Sequence, residues 1–241
     1  MKRYLITGVS KGLGLKIARM IAESGDFVYG ISRTMTPELR ELMSEYPDTI
    51  SHLPLDLSET ELVKEKVFKE FIGLKTSLAG FVNNGAVAYD DIISNLDFSK
   101  LEDMYKVNVF TPMMMTKYVI RNFLLHSVKG SIVHISSISA HTGYKGLAMY
   151  ASTKGALEAF SKNTAREWGE RGIRSNTVVA GFMETSMSES LADEQKDRIY
   201  KRTSLKSATS VQSVANTVMF LLSDKAESIT GENVGVNAGT I

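Results

Sequence analysis

The chain of 241 residues contains no cysteine, which removes several kinds of chemistry at once. Without thiols there is no disulfide framework, no thiol nucleophile and no cysteine-type zinc site. Neither sign of charge is in excess, with 28 Lys and Arg against 27 Asp and Glu, so no basic field supports a nucleic-acid partner. No stretch approaches the roughly 18 uninterrupted apolar residues of a membrane span, and the N-terminus is too poor in apolar residues for a signal peptide. We therefore expect a cytoplasmic protein with no nucleic-acid and no membrane partner.

Short apolar runs alternate with longer amphipathic stretches along the whole chain. The apolar runs predict strands at Arg3–Thr7, Phe27–Ser32, Ser51–Leu55, Leu78–Val82, Ser131–Ser136, Ser175–Val179 and Asn233–Asn237. The stretches between them predict helices near Gly12–Ser24, Pro37–Glu45, Glu59–Ile72, Leu101–His126, Met149–Gly169 and Val211–Ser223. This alternation favours a single α/β domain over residues 1–241, with a doubly wound (Rossmann), seven-stranded, mostly parallel sheet and helices on both faces.

The least regular stretch is Phe182–Ser210, which is rich in Ser, Met and charged residues. It lies late in the chain between two predicted strands. Such a segment is either a lid over a site or a solvated excursion, and its position favours the lid.

A glycine-rich loop joins the first strand to the first helix. Its sequence is Thr7-Gly8-Val9-Ser10-Lys11-Gly12-Leu13-Gly14. A tight turn, the close approach of a pyrophosphate and helix–strand packing each require a residue without Cβ, and a helix N-terminus favours phosphate. The alternative is a glycine-rich turn with no ligand. The position between a strand and a long amphipathic helix favours dinucleotide binding.

The end of the second strand indicates which dinucleotide binds. An acidic residue there would accept hydrogen bonds from a free ribose 2′-hydroxyl, but Ser32 takes that place and Arg33 follows it. Lys11 in the glycine loop is a second cation. Two cations and no carboxylate suit a 2′-phosphate, so we predict NADP(H) rather than NAD(H). The alternative is two exposed surface cations.

Tyr150 and Lys154 are spaced to share one face of a helix. A free phenol has a pKa near 10, which is too high for easy proton exchange at neutral pH. A cation about 4 Å away is worth about 4 kcal/mol at an effective dielectric constant near 20, or about three pKa units. We therefore expect Lys154 to bring the pKa of Tyr150 toward neutrality and Tyr150 to act as a general acid. Ser137, just past the fifth strand, could hold a substrate carbonyl oxygen.

These motifs together resemble the short-chain dehydrogenase/reductase family. The glycine loop, Asn83-Asn84-Gly85-Ala86, Asn108, Ser137 and Tyr150-x-x-x-Lys154 follow its order and spacing. The resemblance spans essentially the whole chain and is greatest to the 3-oxoacyl-[acyl-carrier-protein] reductases.

The resemblance implies a role for each matching residue. It makes Asn108, Ser137, Tyr150 and Lys154 catalytic, with Asn108 anchoring a water relay to Lys154 and Lys154 bonding the nicotinamide ribose. Hydride would pass from NADPH to a ketone carbon while Tyr150 protonates the oxygen. Asp56, beside Leu57, would contact the adenine. The cofactor-binding set is then Gly8, Ser10, Lys11, Gly12, Leu13, Gly14, Arg33, Asp56, Leu57, Asn83, Gly85, Tyr150, Lys154, Gly181, Met183 and Thr185.

Two positions depart from the family pattern. Gly85 and Ala86 are exchanged relative to the usual Asn-Asn-Ala-Gly, and Ala180 replaces the proline before Gly181. Both changes keep the residues small, although loss of the proline relaxes the backbone. They bear on efficiency and substrate choice rather than on the fold.

The resemblance implies a 3-oxoacyl thioester as substrate, carried on an acyl carrier protein. Lys129 and Arg171 fall near loops where basic residues of that subgroup meet an acidic carrier, although two solvated charges are the slightly favoured interpretation. Met183 and Met187 suit an apolar wall for an acyl chain or a plain core. The alternatives are another ketone, such as a sugar, a polyketide-type intermediate or a small diketone, and a regulator that senses NADPH without catalysis.

Family similarity further implies a homotetramer, or else a homodimer. The long apolar helices Leu101–His126, with its three consecutive methionines, and Met149–Gly169 are the expected contact surfaces, unless their apolar residues all face the core.

The histidines add no further chemistry. His52, His126, His134 and His141 lack metal-ligand spacing, so we expect strand or surface positions and no metal site. No Ser–His–Asp signature of a hydrolase appears. His141 stands apart because it lies between Ser137 and Tyr150, where a substrate would bind.

Overall fold

A computed structural model of the chain describes residues 1–184 and 192–240. Within these residues, seven strands form one sheet in the order β3-β2-β1-β4-β5-β6-β7, and every neighbouring pair is parallel. The strands are β1 Arg3–Thr7, β2 Phe27–Ser32, β3 Ile50–Pro54, β4 Gly80–Asn83, β5 Ser131–Ser137, β6 Arg174–Ala180 and β7 Asn233–Val236. The predicted seven-stranded doubly wound sheet is confirmed.

Helices cover both faces of this sheet. The α-helices are α1 Gly12–Glu23, α2 Pro37–Glu45, α3 Phe98–Tyr105, α4 Thr111–Leu125, α5 Ala148–Trp168, α6 Asp193–Lys201 and α7 Val211–Leu222. Two π-helices, Val63–Phe71 and Lys106–Phe110, and short 3₁₀ turns complete the described elements. No helix in these residues is long and apolar enough to cross a membrane.

Two apolar cores separate the sheet from its helices. On one face, Ile17 and Ile21 of α1 and Val218 of α7 are fully buried in a cluster that includes strands β1 and β5. On the other face, Val67 of the first π-helix and Phe123 of α4 are equally buried. Burial on this scale contributes about 1.5–3 kcal/mol for each large aliphatic or aromatic side chain.

The chain reverses its direction of winding between β1 and β4. From β1 it winds outward through β2 and β3, then returns to β4 on the other side of β1. In sheets of this type a crevice opens beyond the carboxyl ends of the two strands at the reversal. Thr7 and Asn83 end those strands, so the crevice lies directly above them.

The predicted fourth strand, Leu78–Val82, was placed two residues too early. The backbone N–H of Leu78 donates to Oδ1 of Asn122 at 2.9 Å instead of to a neighbouring strand. The strand therefore begins at Gly80, where a Cβ atom would lie 2.9 Å from the carbonyl oxygen of Ser131. The other strand boundaries agree with the predictions to within one residue.

The predicted helix Leu101–His126 is three helices rather than one. It divides into α3, the π-helix Lys106–Phe110 and α4. Pro112 explains the break, because proline has no N–H and its ring collides with the carbonyl four residues earlier, that of Asn108. The predicted helix Glu59–Ile72 is likewise a 3₁₀ turn at Thr60–Leu62 followed by the first π-helix.

The irregular stretch at 182–210 contains helix α6. The N–H of Thr209 donates to the carbonyl of Phe182 at 2.7 Å, and the Tyr200 ring lies 6.1 Å from the Phe182 ring. The Tyr200 hydroxyl also bonds the Glu184 carboxylate. Residues 185–191, with Thr185 and Met187, lie outside the described residues, so the lid stays a prediction.

Candidate active site

A cleft of about 670 Å³ opens at the carboxyl ends of the strands. Most of the predicted site residues line it: Gly8, Ser10, Lys11, Gly12, Leu13, Arg33, Asp56, Leu57, Gly85, Ser137, Tyr150, Lys154, Gly181 and Met183. Gly14, Asn83 and Asn108 are not among the lining residues.

The glycine loop brings β1, α1 and β4 into close contact. Gly8 has a φ of +75°, and a Cβ atom there would lie 2.7 Å from the Cα of Gly85. A Cβ atom at Gly14 would lie 2.1 Å from the carbonyl oxygen of Gly8. Gly14 therefore serves the packing of α1 under the loop and does not line the cleft.

Asn84 fixes the loop in place. Its Nδ2 donates to the carbonyl oxygens of Thr7 and Gly8, each at 3.1 Å. The Thr7 hydroxyl accepts the N–H of Asn84 at 3.1 Å and the N–H of Gly85 at 3.0 Å. These bonds hold the segment after β4 against the glycine loop.

The N-terminus of α1 faces this cleft through Gly12 and Leu13. Its N-cap, Lys11, is extended with a φ of −162°, and no side chain in the described part of the chain caps the helix. The first N–H groups of a helix lack partners within the helix and carry partial positive charge. An uncapped end on a cleft therefore suits a phosphate group.

The far end of the cleft is rich in hydroxyl groups and cations. Ser32 Oγ donates to the carbonyl of Thr34 at 3.1 Å and lies 2.8 Å from His52 Nε2. The Arg33 Nη1 lies 3.9 Å from Asp56 Oδ2, and Arg33 and Lys11 both line the cleft. Both cations predicted from the sequence therefore border the cleft.

Tyr150 and Lys154 stand one helical turn apart on α5, as the spacing predicts. The Lys154 Nζ lies 5.5 Å from the centre of the Tyr150 ring and donates to the carbonyl oxygen of Ile135 at 2.9 Å. Lys154 is only 3% exposed. Its ammonium group is thus anchored to the end of β5 at the bottom of the cleft.

The expected fall in the pKa of Tyr150 is wrong for this arrangement. Burial raises the pKa of the Tyr150 phenol to about 12, and the charge of Asp90 adds to the rise, while a hydrogen bond with Ser137 opposes it. The expectation assumed a cation about 4 Å from the phenol in a medium of moderate dielectric constant. Desolvation is the dominant effect on the Tyr150 phenol instead, and it also lowers the pKa of Lys154 to about 8. Tyr150 therefore keeps its proton at neutral pH.

Ser137 ends β5 and lies beside Tyr150. Its Oγ accepts hydrogen bonds from the N–H of Ser139 at 3.2 Å and from the hydroxyl of Ser139 at 3.0 Å. The hydroxyl of the preceding residue, Ser136, donates to the Glu158 carboxylate at 2.5 Å. Of the serines at this strand end, Ser136 and Ser137 line the cleft and Ser139 does not.

Asn108 lies in the π-helix Lys106–Phe110, and its side chain bonds to the backbone of Val87 and to the side chain of Thr153. The Oδ1 accepts the N–H of Val87 at 2.9 Å, and the Nδ2 donates to the carbonyl of Val87 at 2.8 Å and to the Thr153 hydroxyl at 3.1 Å. Thr153 in turn donates to the carbonyl of Tyr150 at 2.8 Å. The side chain of Asn108 therefore joins the segment after β4 to the helix that carries Tyr150 and Lys154.

Asn83 also differs from its expected place. The structure puts its side chain behind the cleft, where Oδ1 accepts from the Thr7 hydroxyl at 3.4 Å and Nδ2 lies 3.3 Å from His134 Nδ1. Of the two asparagines, Asn84 lines the cleft and Asn83 does not. Asn83 is the last residue of β4, whereas Asn84 follows the strand and bonds to the glycine loop.

The histidines occupy the kinds of position expected from the sequence. His52 lies in β3, and His134 lies fully buried in β5, where burial lowers its pKa to about 3. His126 follows α4, and His141 is partly exposed with its Nε2 2.8 Å from the Glu158 carboxylate. The described residues contain no group of side chains arranged to hold a metal ion.

Sequence reasoning missed several residues of the cleft. Asn84 was overlooked beside Asn83, although an Asn-Asn pair gives no signal of which side chain faces the ligand. Asp90 lies in the cleft, and burial raises its pKa. The loop residues that also line the cleft are Thr34, Thr36, Val87, Ala88, Leu147 and Phe182.

A doubly wound sheet with an uncapped helix end, a cleft at its winding reversal and a Ser, Tyr and Lys cluster defines an oxidoreductase of the nicotinamide-dependent class. Comparison with known proteins agrees. The family model described as Enoyl-(Acyl carrier protein) reductase matches residues 8–240. The 3-oxoacyl-[acyl-carrier-protein] reductase FabG of Escherichia coli strain K12 is 32% identical over 240 residues, covering 99% of this chain and 96% of that protein. The chain belongs to the short-chain dehydrogenase/reductase family.

Further relatives extend this comparison. The FabG of Buchnera aphidicola subsp. Schizaphis graminum is 31% identical over 238 residues, with 99% of this chain and 96% of that protein covered. Among solved structures, "ElxO with NADP Bound" has a TM-score of 0.90 at 27% identity, covering 99% of this chain and 98% of that one. A 4-hydroxyisoleucine dehydrogenase complexed with NADH has a TM-score of 0.93, 24% identity and the same coverage, and it supports the fold alone.

Proposed function

We propose that the protein reduces a ketone to a secondary alcohol with NADPH as the hydride donor. The observation that carries this proposal is the cluster of Ser137, Tyr150 and Lys154 in one cleft, with a phenol that stays protonated at neutral pH. A protonated donor beside an oxygen-binding hydroxyl is what carbonyl reduction requires of the protein.

The cleft fits a dinucleotide. The pyrophosphate would lie at the uncapped end of α1, where Gly8 and Gly12 line the cleft. Gly181 and Met183 border the other end, beside Tyr150 and Lys154. When bound, the cofactor supplies a hydride to the carbonyl carbon.

The protein's own residues then handle the oxygen. The Ser137 hydroxyl binds the carbonyl oxygen and stabilises the negative charge that develops there. Tyr150 donates its proton to that oxygen, because an alkoxide is a stronger base than a phenolate. Lys154, held by Ile135, is positively charged at neutral pH and stabilises the phenolate that remains.

We infer selectivity for the 2′-phosphate from Lys11 and Arg33, which both border the cleft. Replacing both by Ala should raise the KM for NADPH by about 10-fold to 100-fold, because a charge-assisted hydrogen bond is worth roughly 1.5–3 kcal/mol. The KM for NADH should stay within about twofold of the wild-type value, because NADH has no 2′-phosphate for the two cations to bind. Steady-state kinetics with both cofactors measures this.

The matched control is Lys64→Ala, which removes an exposed cation that does not line the cleft. It should leave both KM values unchanged. Equal losses for NADPH and NADH in the Lys11 and Arg33 double variant would mean that these cations do not read the 2′-phosphate.

As substrate we propose a 3-oxoacyl thioester on an acyl carrier protein. The support is the family relationship to proteins named 3-oxoacyl-[acyl-carrier-protein] reductase and the closeness of two exposed cations. Lys129 packs against Gly172, where a Cβ atom would lie 2.7 Å from the Lys129 Cγ, and Arg171 is the residue before Gly172. Together they form a small basic patch that an acidic carrier could bind.

Reversing both charges, with Lys129→Glu and Arg171→Glu, should raise the KM for a carrier-linked substrate about 10-fold or more, since a like-charge contact costs at least 1.4 kcal/mol. The KM for a small thioester of the same acyl chain should not change. Both follow from initial rates of NADPH consumption. Equal increases for the two substrates would rule out docking at this patch.

The proposed activity is tested by following NADPH oxidation with a short 3-oxoacyl thioester, with NADH in parallel. Rapid turnover that prefers NADPH supports the reductase. If NADPH binds but this substrate does not react, a panel of sugar, polyketide-type and small ketones tests the second candidate. A protein that binds NADPH and reduces none of them would be a cofactor-sensing regulator.

We also propose that the protein assembles as a homotetramer, or else a homodimer, through α4 and α5. Leu124 and Leu125 of α4 are 40% and 66% exposed, and Phe110 just before it is 48% exposed. Of the three consecutive methionines, Met115 is fully buried and faces the core. Sedimentation of the purified protein would give the number of subunits.

A further inference from the structure

Ser139 makes two hydrogen bonds to the oxygen of Ser137. Its backbone N–H donates at 3.2 Å and its hydroxyl donates at 3.0 Å. Ser139 is 7% exposed and does not line the cleft. Any effect of its hydroxyl on a substrate in the cleft must therefore pass through Ser137.

A serine hydroxyl has one hydrogen to donate and two lone pairs with which to accept. The two bonds from Ser139 occupy both lone pairs of Ser137 Oγ. The only remaining capacity of Ser137 is its own O–H, which can only donate. An oxygen that must stabilise developing negative charge needs a donor, and a serine free to accept could instead take a hydrogen bond from Tyr150.

We propose that Ser139 is a positioning residue that fixes Ser137 as a hydrogen-bond donor toward the carbonyl oxygen of the substrate. This inference rests on the proposed reductase function. With Ser137 unable to accept, its O–H donates to Tyr150 in the free protein, and a bound ketone oxygen would take that donor over. The proton of Tyr150 is then left for the same substrate oxygen.

A purely structural role for Ser139 makes a different prediction. Ser137 caps the 3₁₀ turn Ile138–Ala140 by accepting the N–H of Ser139. That bond involves the backbone and remains when the side chain of Ser139 is shortened. Removing the hydroxyl therefore separates control of Ser137 from the folding of the turn.

The test is a double-mutant cycle on the full-length protein with Ser137→Ala, Ser139→Ala and both together. Ser139→Ala should lower kcat about 3-fold to 10-fold, as expected for the loss of one hydrogen bond worth roughly 0.5–1.5 kcal/mol. The KM for ketone should change little, and the Kd for NADPH, read from its fluorescence, should not change. In the Ser137→Ala background the same substitution should cost nothing further.

The matched control is Thr142→Val, which removes a hydroxyl from the same turn without touching Ser137, since Thr142 donates to the carbonyl of Ile138 at 3.2 Å. It should keep normal kcat. Ser139→Cys keeps the size of the side chain and supplies only a weak donor, so its kcat should also be lower than that of the wild type. This variant serves as the test if Ser139→Ala folds poorly.

Losses that multiply in the double variant would overturn the proposal, because Ser139 would then act independently of Ser137. Normal kcat in Ser139→Ala would overturn it as well, while leaving the proposed function intact. Full activity of Ser137→Ala would instead contradict the proposed mechanism itself.

Discussion

Replacing Tyr150 by Phe is expected to lower kcat for ketone reduction by roughly 100-fold to 10,000-fold, the range that a positioned general acid contributes. Only the phenolic oxygen is removed, so the ring keeps its place beside Lys154 and Leu147 in the cleft. The Kd for NADPH should stay within a few-fold of wild type, because a neutral hydrogen bond contributes about 1 kcal/mol. Stopped-flow measurement of a single turnover gives the rate constant of the reduction step without product release.

The control for this prediction is Tyr144→Phe, which removes a phenolic oxygen from the nearby turn that precedes α5 and lies outside the cleft lining. Its kcat should be normal. Near-wild-type turnover by Tyr150→Phe would remove Tyr150 from the mechanism and leave the cleft as a binding site whose proton donor lies elsewhere.

Replacing Lys154 by Met should abolish measurable turnover and, at neutral pH, remove a penalty on folding. Burial lowers the pKa of Lys154 from 10.5 to about 8, which corresponds to a cost on the order of 3 kcal/mol for holding the charged form in the folded state. Methionine carries no charge and fits a comparable volume. The substitution does forfeit the bond to Ile135, which offsets part of the gain.

The dependence on pH isolates the charge from that offset. Below pH 8 the folded and unfolded states both hold the proton on Lys154, so the wild type carries the full cost. As the pH rises toward 10.5, the folded state releases the proton first and the cost disappears. Between pH 7 and pH 10, the wild type should therefore gain on the order of 2 kcal/mol in unfolding free energy relative to Lys154→Met.

Urea unfolding of both proteins at several pH values measures this difference. The other titrating groups are common to the two proteins and cancel in the comparison. A difference that does not change with pH would mean that the Lys154 ammonium is solvated rather than buried. Retained turnover in Lys154→Met would separate this residue from catalysis.

The sheet was predictable because each strand is a short apolar run bounded by turns, and because apolar residues recur with a different period in helices than in strands. The break in the predicted helix Leu101–His126 was also predictable, because the proline at position 112 cannot continue a helix across that turn. The pattern could not show where a distant side chain takes a backbone N–H that would otherwise bond within the sheet. Leu78 leaves the fourth strand because Asn122, 44 residues away, takes its N–H, and no local signal announces such a contact.

The site divides in the same way. The glycine loop and the Tyr150–Lys154 pair are local motifs, so spacing places them. The pKa of Tyr150 is different, because it depends on how much solvent three separate elements remove, and the sequence gives residue types without burial. Asn83 and Asn84 illustrate a further limit: the two residues are adjacent and identical, but Asn83 ends β4 and Asn84 follows it, and of the two it is Asn84 that lines the cleft.

The most direct test of the proposed reaction follows the hydride itself. NADPH that carries deuterium at its transferable position is mixed with the protein and a 3-oxoacyl thioester, and the product is examined by mass spectrometry and NMR. Reduction of the ketone puts one deuterium on the carbon that bears the new hydroxyl, and Tyr150→Phe should suppress that product. The absence of labelled alcohol from any ketone would contradict carbonyl reduction. If an enoyl thioester supplied in place of the ketone gave a saturated chain that carries deuterium on carbon, the reaction would instead be reduction of a carbon–carbon double bond.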